Sequence, residues 1–201
     1  MILKKKRKNK RNNRHILGFT LTEVLVVAAI VTSIPAAQYA RAKKKAVQIE
    51  CQHNLRSIGQ LLTMHVMDDA YPKAAFYPKD PKKGKDSIRV ILGGPAKIWQ
   101  CPGLPDKLRE SGLTFVYNDE LSGKRAVGNA AKKWVLIEIN CVSKSAPHAH
   151  PGGYNILFAD GHVISSKKLP KKITQNQRAM IEQLEKDIEK AIVEQRLIAS
   201  N

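Results

Sequence analysis

The stretch GFTLTEVLVVAAIVTSI, residues 18–34, decides how the rest of the chain is read: it is apolar enough for a bilayer, yet it carries a carboxylate at Glu23. An acidic side chain near the centre of a membrane-spanning helix costs about 2.5–3.5 kcal/mol on insertion scales. Glu23 therefore calls for a reason. From Phe19 to Ala37 there are nineteen residues, roughly 28 Å of helix at about 1.5 Å per residue, close to the ~30 Å hydrocarbon core. The stretch is long enough to span.

Toward the N-terminus, Lys4, Lys5, Lys6, Arg7, Lys8, Lys10, Arg11 and Arg14 all precede the apolar run. They account for much of the formal charge of +18 on 201 residues, and without residues 1–18 about +10 remains. A basic head before an apolar stretch has the build of a targeting segment. It differs from a secretory signal because its small residue, Gly18, stands before the apolar core instead of after it. The Lys/Arg excess ahead of the segment keeps the N-terminus cytoplasmic and sends the remainder across the membrane. The length allows one modest globular unit with attachments.

Gly18-Phe19-Thr20-Leu21-Thr22-Glu23 followed by an apolar helix resembles the N-terminus of type IV prepilins and type II secretion pseudopilins. The resemblance implies cleavage after Gly18 by a membrane-embedded prepilin peptidase and N-methylation of Phe19. It also implies partners: that peptidase/methylase, other pilin or pseudopilin subunits in a filament, and the inner-membrane platform of a secretion apparatus. The expected location is the inner membrane in a single pass, then a periplasmic or extracellular filament. Thr22 departs from the pattern, where an aliphatic residue is usual, and Pro35 comes earlier than the family's helix proline. Cleavage creates an α-amino charge at Phe19, costly alone at membrane depth. Glu23 can neutralise it within the chain or in a neighbouring subunit, which gives the carboxylate an assembly role. The plainer alternative is an interfacial Glu that reaches the headgroups.

Past the apolar run, Val47, Cys51, Leu55, Ile58, Leu62 and His65 recur at steps of four and three, one apolar stripe that predicts a continuing amphipathic helix ending before Pro72. Residues 71–112 are rich in Pro, Gly and Lys, and PKDPKKGKD at 78–86 reads as an exposed loop. TFVYN at 114–118, WVLIEI at 134–139, and YNILF with HVIS about Asp160-Gly161 read as strands. The expected fold class is α+β: a long N-terminal helix, transmembrane then amphipathic, on a small antiparallel sheet, with a C-terminal amphipathic helix. The expected divisions are a basic leader 1–18, a transmembrane/assembly helix 19–40, a pilin-like globular domain 41–170 and a C-terminal helical tail 171–201. In the tail, Ile181, Leu184, Ile188, Ala191, Gln195 and Ile198 form a stripe with charged residues on the other faces, preferring dockage on its own domain over pairing with another subunit.

HPGGYNILFADG, His150 to Gly161, together with CQHNLRSIGQLL at 51–62 and WQCP at 99–102, resembles the prepilin-type processing-associated subgroup of prepilin-like proteins, whose His-x9-Asp-Gly element has no settled role. If YNILFA is a strand, its six residues cover about 20 Å, so His150 and Asp160 lie at opposite ends and do not share an ion. Asp160-Gly161 then form a type I′ hairpin tip, with positive φ at both residues, and His150 anchors the loop entering the strand by a side-chain hydrogen bond. No compact His/Cys set with zinc spacing and no acidic calcium loop stands in the sequence, so no metal or cofactor is expected. No nucleophile context supports an enzyme. Three cysteines outside the cytoplasm permit one disulfide, with Cys51 to Cys101 able to staple loop to helix, or three buried free thiols. The function expected is a structural pilin-like subunit. The alternative is a minor pilin that binds DNA or a surface ligand; the mature basic excess permits it, and the lack of interleaved base-stacking aromatics lowers it.

Overall fold

The computed structural model describes residues 20–144, 146–170 and 178–199. The leader 1–18 and the Gly18–Phe19 peptide lie outside them. Two compact units divide the chain, Met1–Ala40 and Arg41–Asn201.

Helix α1, Leu21–Asp68, begins in the first unit and continues into the second. Its start is chemically defined. The Thr20 hydroxyl accepts from the Glu23 backbone N–H at 3.2 Å, and the Glu23 carboxylate accepts in return from the Thr20 N–H and hydroxyl, both at 2.8 Å. This Thr-x-x-Glu capping box satisfies backbone donors that the first helical turn leaves open. Leu21, Val24, Leu25, Val26 and Val27 along this part are each more than half exposed. Among the described residues no helix is long and apolar enough to cross a membrane. The expected membrane segment 19–40 includes Phe19 and the side chains of residues 31–37, which fall outside them.

In the second unit the same helix changes character. Cys51, Leu55 and Ile58 are completely buried and Leu62 nearly so, as a stripe of this period requires of one core-facing side. Four strands, β1 Phe115–Tyr117, β2 Trp134–Glu138, β3 Tyr154–Phe158 and β4 Val163–Ser166, form an antiparallel sheet in the order β1-β2-β3-β4. One face turns to α1: Glu138 meets Cys51, Ser165 meets Gln48 and Gln52, and Gly59 passes over Leu157. A Cβ added at Gly59 would stand 3.0 Å from Leu157 Cδ1, so glycine sets how closely helix and sheet approach. The register shifts between Trp134 and Leu136. That bulge turns Trp134 to the opposite face, where it pairs with Phe158 beside Ile156.

Within the Pro-, Gly- and Lys-rich residues 71–112, the exposed stretch is confined to part of the segment. PKDPKKGKD is largely at the surface, but the segment contains α2, Ile88–Leu92, a 3₁₀ turn over Ala96–Trp99, and α3, Asp106–Glu110. It also sends Tyr71, Phe76, Ile88, Trp99, Leu104 and Leu108 into the core. Helix α4, Arg178–Ala199, packs on α3 and on the turn Ile139–Val142 through Leu184, Ile188 and Ala191, while Gln195 and Ile198 at the end of the expected stripe are exposed.

The hairpin tip differs in type from expectation. Asp160 and Gly161 do lie between β3 and β4, but φ is positive only at Gly161, +86°. The Gly161 N–H donates to the Phe158 carbonyl and the Phe158 N–H to the His162 carbonyl, each at 2.9 Å. This is a three-residue connection in which a turn is followed by a left-handed glycine, in place of the type I′ turn. The Asp160 carboxylate accepts from the His162 backbone N–H at 3.1 Å, which fixes Asp160 without positive φ.

Candidate functional site

Four side chains from distant parts of the sequence meet in the core between α1 and the sheet: Cys51 from α1, Cys101 from just past the Ala96–Trp99 turn, Glu138 from the end of β2, and His150 from the approach to β3. Their donor atoms all lie within 4.8 Å of one another. Cys51, Cys101 and the side chains of Glu138 and His150 have no exposed surface.

Each is held by local structure. The Cys101 N–H donates to the Thr114 hydroxyl at 2.5 Å, and Thr114 is bonded through its own N–H to the Trp99 carbonyl at 3.0 Å and through its carbonyl to the Ile139 N–H at 2.9 Å. The Cys101 loop is thereby tied to β1 and β2. His150 opens a tight turn in which the Gly153 N–H donates to its carbonyl at 3.1 Å. Gly153 has φ +98°, and a Cβ there would stand 2.4 Å from the Ser166 carbonyl oxygen. Gly103 is the seat of the His150 ring: a Cβ at 103 would meet His150 Cε1 at 2.6 Å and Nδ1 at 3.0 Å.

The contacts converge on one atom. Glu138 Oε1 accepts from the Cys51 thiol at 3.2 Å and from Asn155 Nδ2 at 3.0 Å, with His150 Nε2 at 3.0 Å and Cys101 Sγ at 3.7 Å. Cys101 Sγ and His150 Nε2 are themselves 3.0 Å apart. Glu138 Oε2 and His150 Nδ1 are buried with no hydrogen-bond partner among the described residues. Behind Asn155 runs a polar chain: the Ser165 hydroxyl donates to Asn155 Oδ1 and accepts from Gln48 and Gln52 of α1 at 2.6 and 2.8 Å.

Burial pushes the Cys51 thiol well above its usual pKa, with Cys101 and the Glu138 charge adding to the effect. Burial acts in the same sense on Cys101, but hydrogen bonds with Cys51 and His150 outweigh it and bring that thiol below its usual value. For His150, burial works against the charged ring, while contacts with Cys101 and Glu138 prevail and raise its pKa to about 9. Without a further charge, the set is a buried carboxylate hydrogen-bonded to imidazolium and thiol. With its thiols deprotonated, it is a set of soft and borderline metal ligands.

Of the residues singled out in the sequence, Cys51, Cys101 and His150 come together, and Asp160 does not join them. Asp160 Oδ1 pairs with His162 Nδ1 at the hairpin tip, where His162 stacks on Phe158 with ring centroids 4.4 Å apart. His150, on the approach to β3, sets its ring against Glu138 and Cys101 in the core. The sequence offers no His/Cys set at zinc spacing, and the fold gathers Cys51, Cys101 and His150 with Glu138 from distant positions. Cys51 and Cys101 are neighbours and both are free thiols; Cys141 is buried and free elsewhere. Glu138, Asn155 and Gly103 escaped the sequence reading. The available signal was Glu138 itself, an acid inside WVLIEI, a run that reads as a strand buried on both faces. No protein-family model, curated protein or solved structure matches the chain.

Proposed function

We propose that the chain is a type IV pilin-like structural subunit, a pseudopilin of a type II secretion or type IV pilus-like filament. It inserts with its N-terminus in the cytoplasm, is cleaved after Gly18, is methylated at Phe19, and assembles through its N-terminal helix. The chain is a substrate of the peptidase/methylase and not an enzyme. Other subunits and the inner-membrane platform are its partners.

The observation that supports this reading is the change of character along α1. Its first turns carry exposed Leu and Val side chains behind a basic head, and its later turns bury Cys51, Leu55, Ile58 and Leu62 in a domain core. An element with one apolar part exposed in the isolated chain and another consumed by its own domain suits a subunit whose exposed part is taken up first by lipid and then by neighbouring helices. Glu23 suits it too, because its partner Thr20 immediately follows the residue that cleavage would make the new N-terminus.

The test is maturation. Mass spectrometry of the protein from cells with an active prepilin peptidase is expected to give a chain beginning with N-methylated Phe19, and Gly18→Val is expected to retain the leader. An intact N-terminus beside active peptidase overturns the reading.

A further inference from the structure

We infer that Cys51, Cys101, Glu138 and His150 form a closed structural site for a single Zn²⁺ ion, which clamps α1 to the sheet. All four ligands lie in the second unit, so the site does not depend on how the N-terminus matures.

The distances suit the ion. Zinc with Zn–S near 2.3 Å and Zn–N or Zn–O near 2.0–2.1 Å places tetrahedral donors about 3.3–3.8 Å apart. Here His150 Nε2 is 3.0 Å from both Glu138 Oε1 and Cys101 Sγ, and Oε1 is 3.2 and 3.7 Å from the two sulfurs. The remaining pairs lie within 4.8 Å, so side-chain shifts of up to about 1 Å, chiefly at Cys51, complete the tetrahedron.

The pattern of contacts points the same way. A network held by hydrogen bonds alone gains by spreading its donors over both carboxylate oxygens. In this cluster two thiols, an imidazole and an amide crowd Oε1, while Oε2 and His150 Nδ1 have no hydrogen-bond partner among the described residues. Three of the proposed ligand atoms gathered about the fourth, Oε1, is what common ligands of an ion produce.

Charge and ligand type select the ion. Two thiolates, a carboxylate and a neutral imidazole around Zn²⁺ sum to about −1, as in a Cys₃His site. Calcium and magnesium prefer all-oxygen sets, whereas thiolate with imidazole suits zinc. All four positions come from protein and none is exposed, so no place is left for water or substrate and the ion is structural. On binding, each of the two thiols and the His150 imidazolium gives one proton to solvent, and His150 then coordinates through the freed lone pair of Nε2. Asn155, held by Ser165 and the two α1 glutamines, orients the Glu138 carboxylate as an outer-shell partner.

The experiment uses the full chain, purified in detergent under reducing conditions, stripped with a chelator and titrated with Zn²⁺ and, separately, Co²⁺. Expected are one equivalent of tightly bound Zn²⁺, a tetrahedral Co²⁺ spectrum with a thiolate-to-cobalt charge-transfer band, and a melting temperature that rises with Zn²⁺ and falls on chelation. Cys101→Ser should remove tight binding, and Cys141→Ala should leave it intact. Since Cys101→Ser can also fail to fold, Asn155→Ala provides the second variant. It keeps all four ligands, and affinity should fall about 10–100-fold with stoichiometry still one. A folded, reduced wild-type chain that takes up neither ion overturns the site, as does a chain isolated from its native compartment with Cys51 and Cys101 joined in a disulfide.

Discussion

Glu23 has two duties that substitution can separate. Its carboxylate closes the capping box with Thr20, and in the proposed filament its charge neutralises the Phe19 amine. Glutamine at this position still accepts from the Thr20 N–H but carries no charge. Glu23→Gln should therefore preserve the helix start by circular dichroism yet enter filaments poorly, and Glu23→Val should lose both. Normal incorporation of the glutamine variant, measured by filament co-purification, would reduce Glu23 to a helix cap. Gly161 offers a second test at this scale. A Cβ there meets nothing within 4 Å, so any cost of substitution comes from φ +86° alone. Gly161→Val should lose about 1–2 kcal/mol in denaturant unfolding and Gly161→Asn distinctly less, because asparagine visits left-handed backbone. Equal losses would place the cost in packing.

Among the elements, α1 and α4 hold to the core through different numbers of turns. Leu55 and Ile58 are fully buried, so Leu55→Ala should cost about 2–5 kcal/mol. On α4, Ile188 is fully buried and Ile198 is 69% exposed; Ile188→Ala should cost a comparable amount and Ile198→Ala nearly nothing, which a chemical-unfolding comparison checks. These elements were legible in the sequence because each repeats its pattern long enough to be read: the stripe from Val47 to His65 spans several turns, and WVLIEI and YNILF are unbroken strand-like runs. Helices α2 and α3 were not legible, since five residues hold scarcely more than one helical period. The four-residue cluster was hidden for another reason. Its members stand at 51, 101, 138 and 150, separations that only the strand register and the seating of the Cys101 loop on Thr114 bring to one place. Even the type of the hairpin turn escaped, because Asp-Gly fits two turns, and the Asp160 bond to the His162 N–H decides between them.

At the scale of the molecule, the division after Ala40 carries a consequence for how the chain can be cut. Among the described residues, every buried hydrophobic side chain of the core lies at Cys51 or beyond, and the four proposed zinc ligands lie there too. The exposed Leu and Val side chains at the start of α1 lie before residue 31. Between them stand Arg41, Lys43, Lys44 and Lys45, all exposed. Helices in proteins gain most of their stability from packing, so this basic turn, whose exposed side chains reach the core side only through Lys45 donating to Gln48 at 3.2 Å among the contacts described, should open more readily than the turns from Cys51 to Leu62. Limited trypsin treatment should accordingly cut first near residues 41–45 and leave a C-terminal fragment that resists further digestion in its core. Residues 41–201 expressed alone should unfold in one cooperative transition and stay in solution without detergent, whereas the full chain, with its exposed apolar turns, should need detergent or lipid. A fragment that aggregates or melts without a transition would mean that the first forty residues help hold the core. In that case the exposed apolar turns could no longer be assigned to lipid and neighbouring subunits.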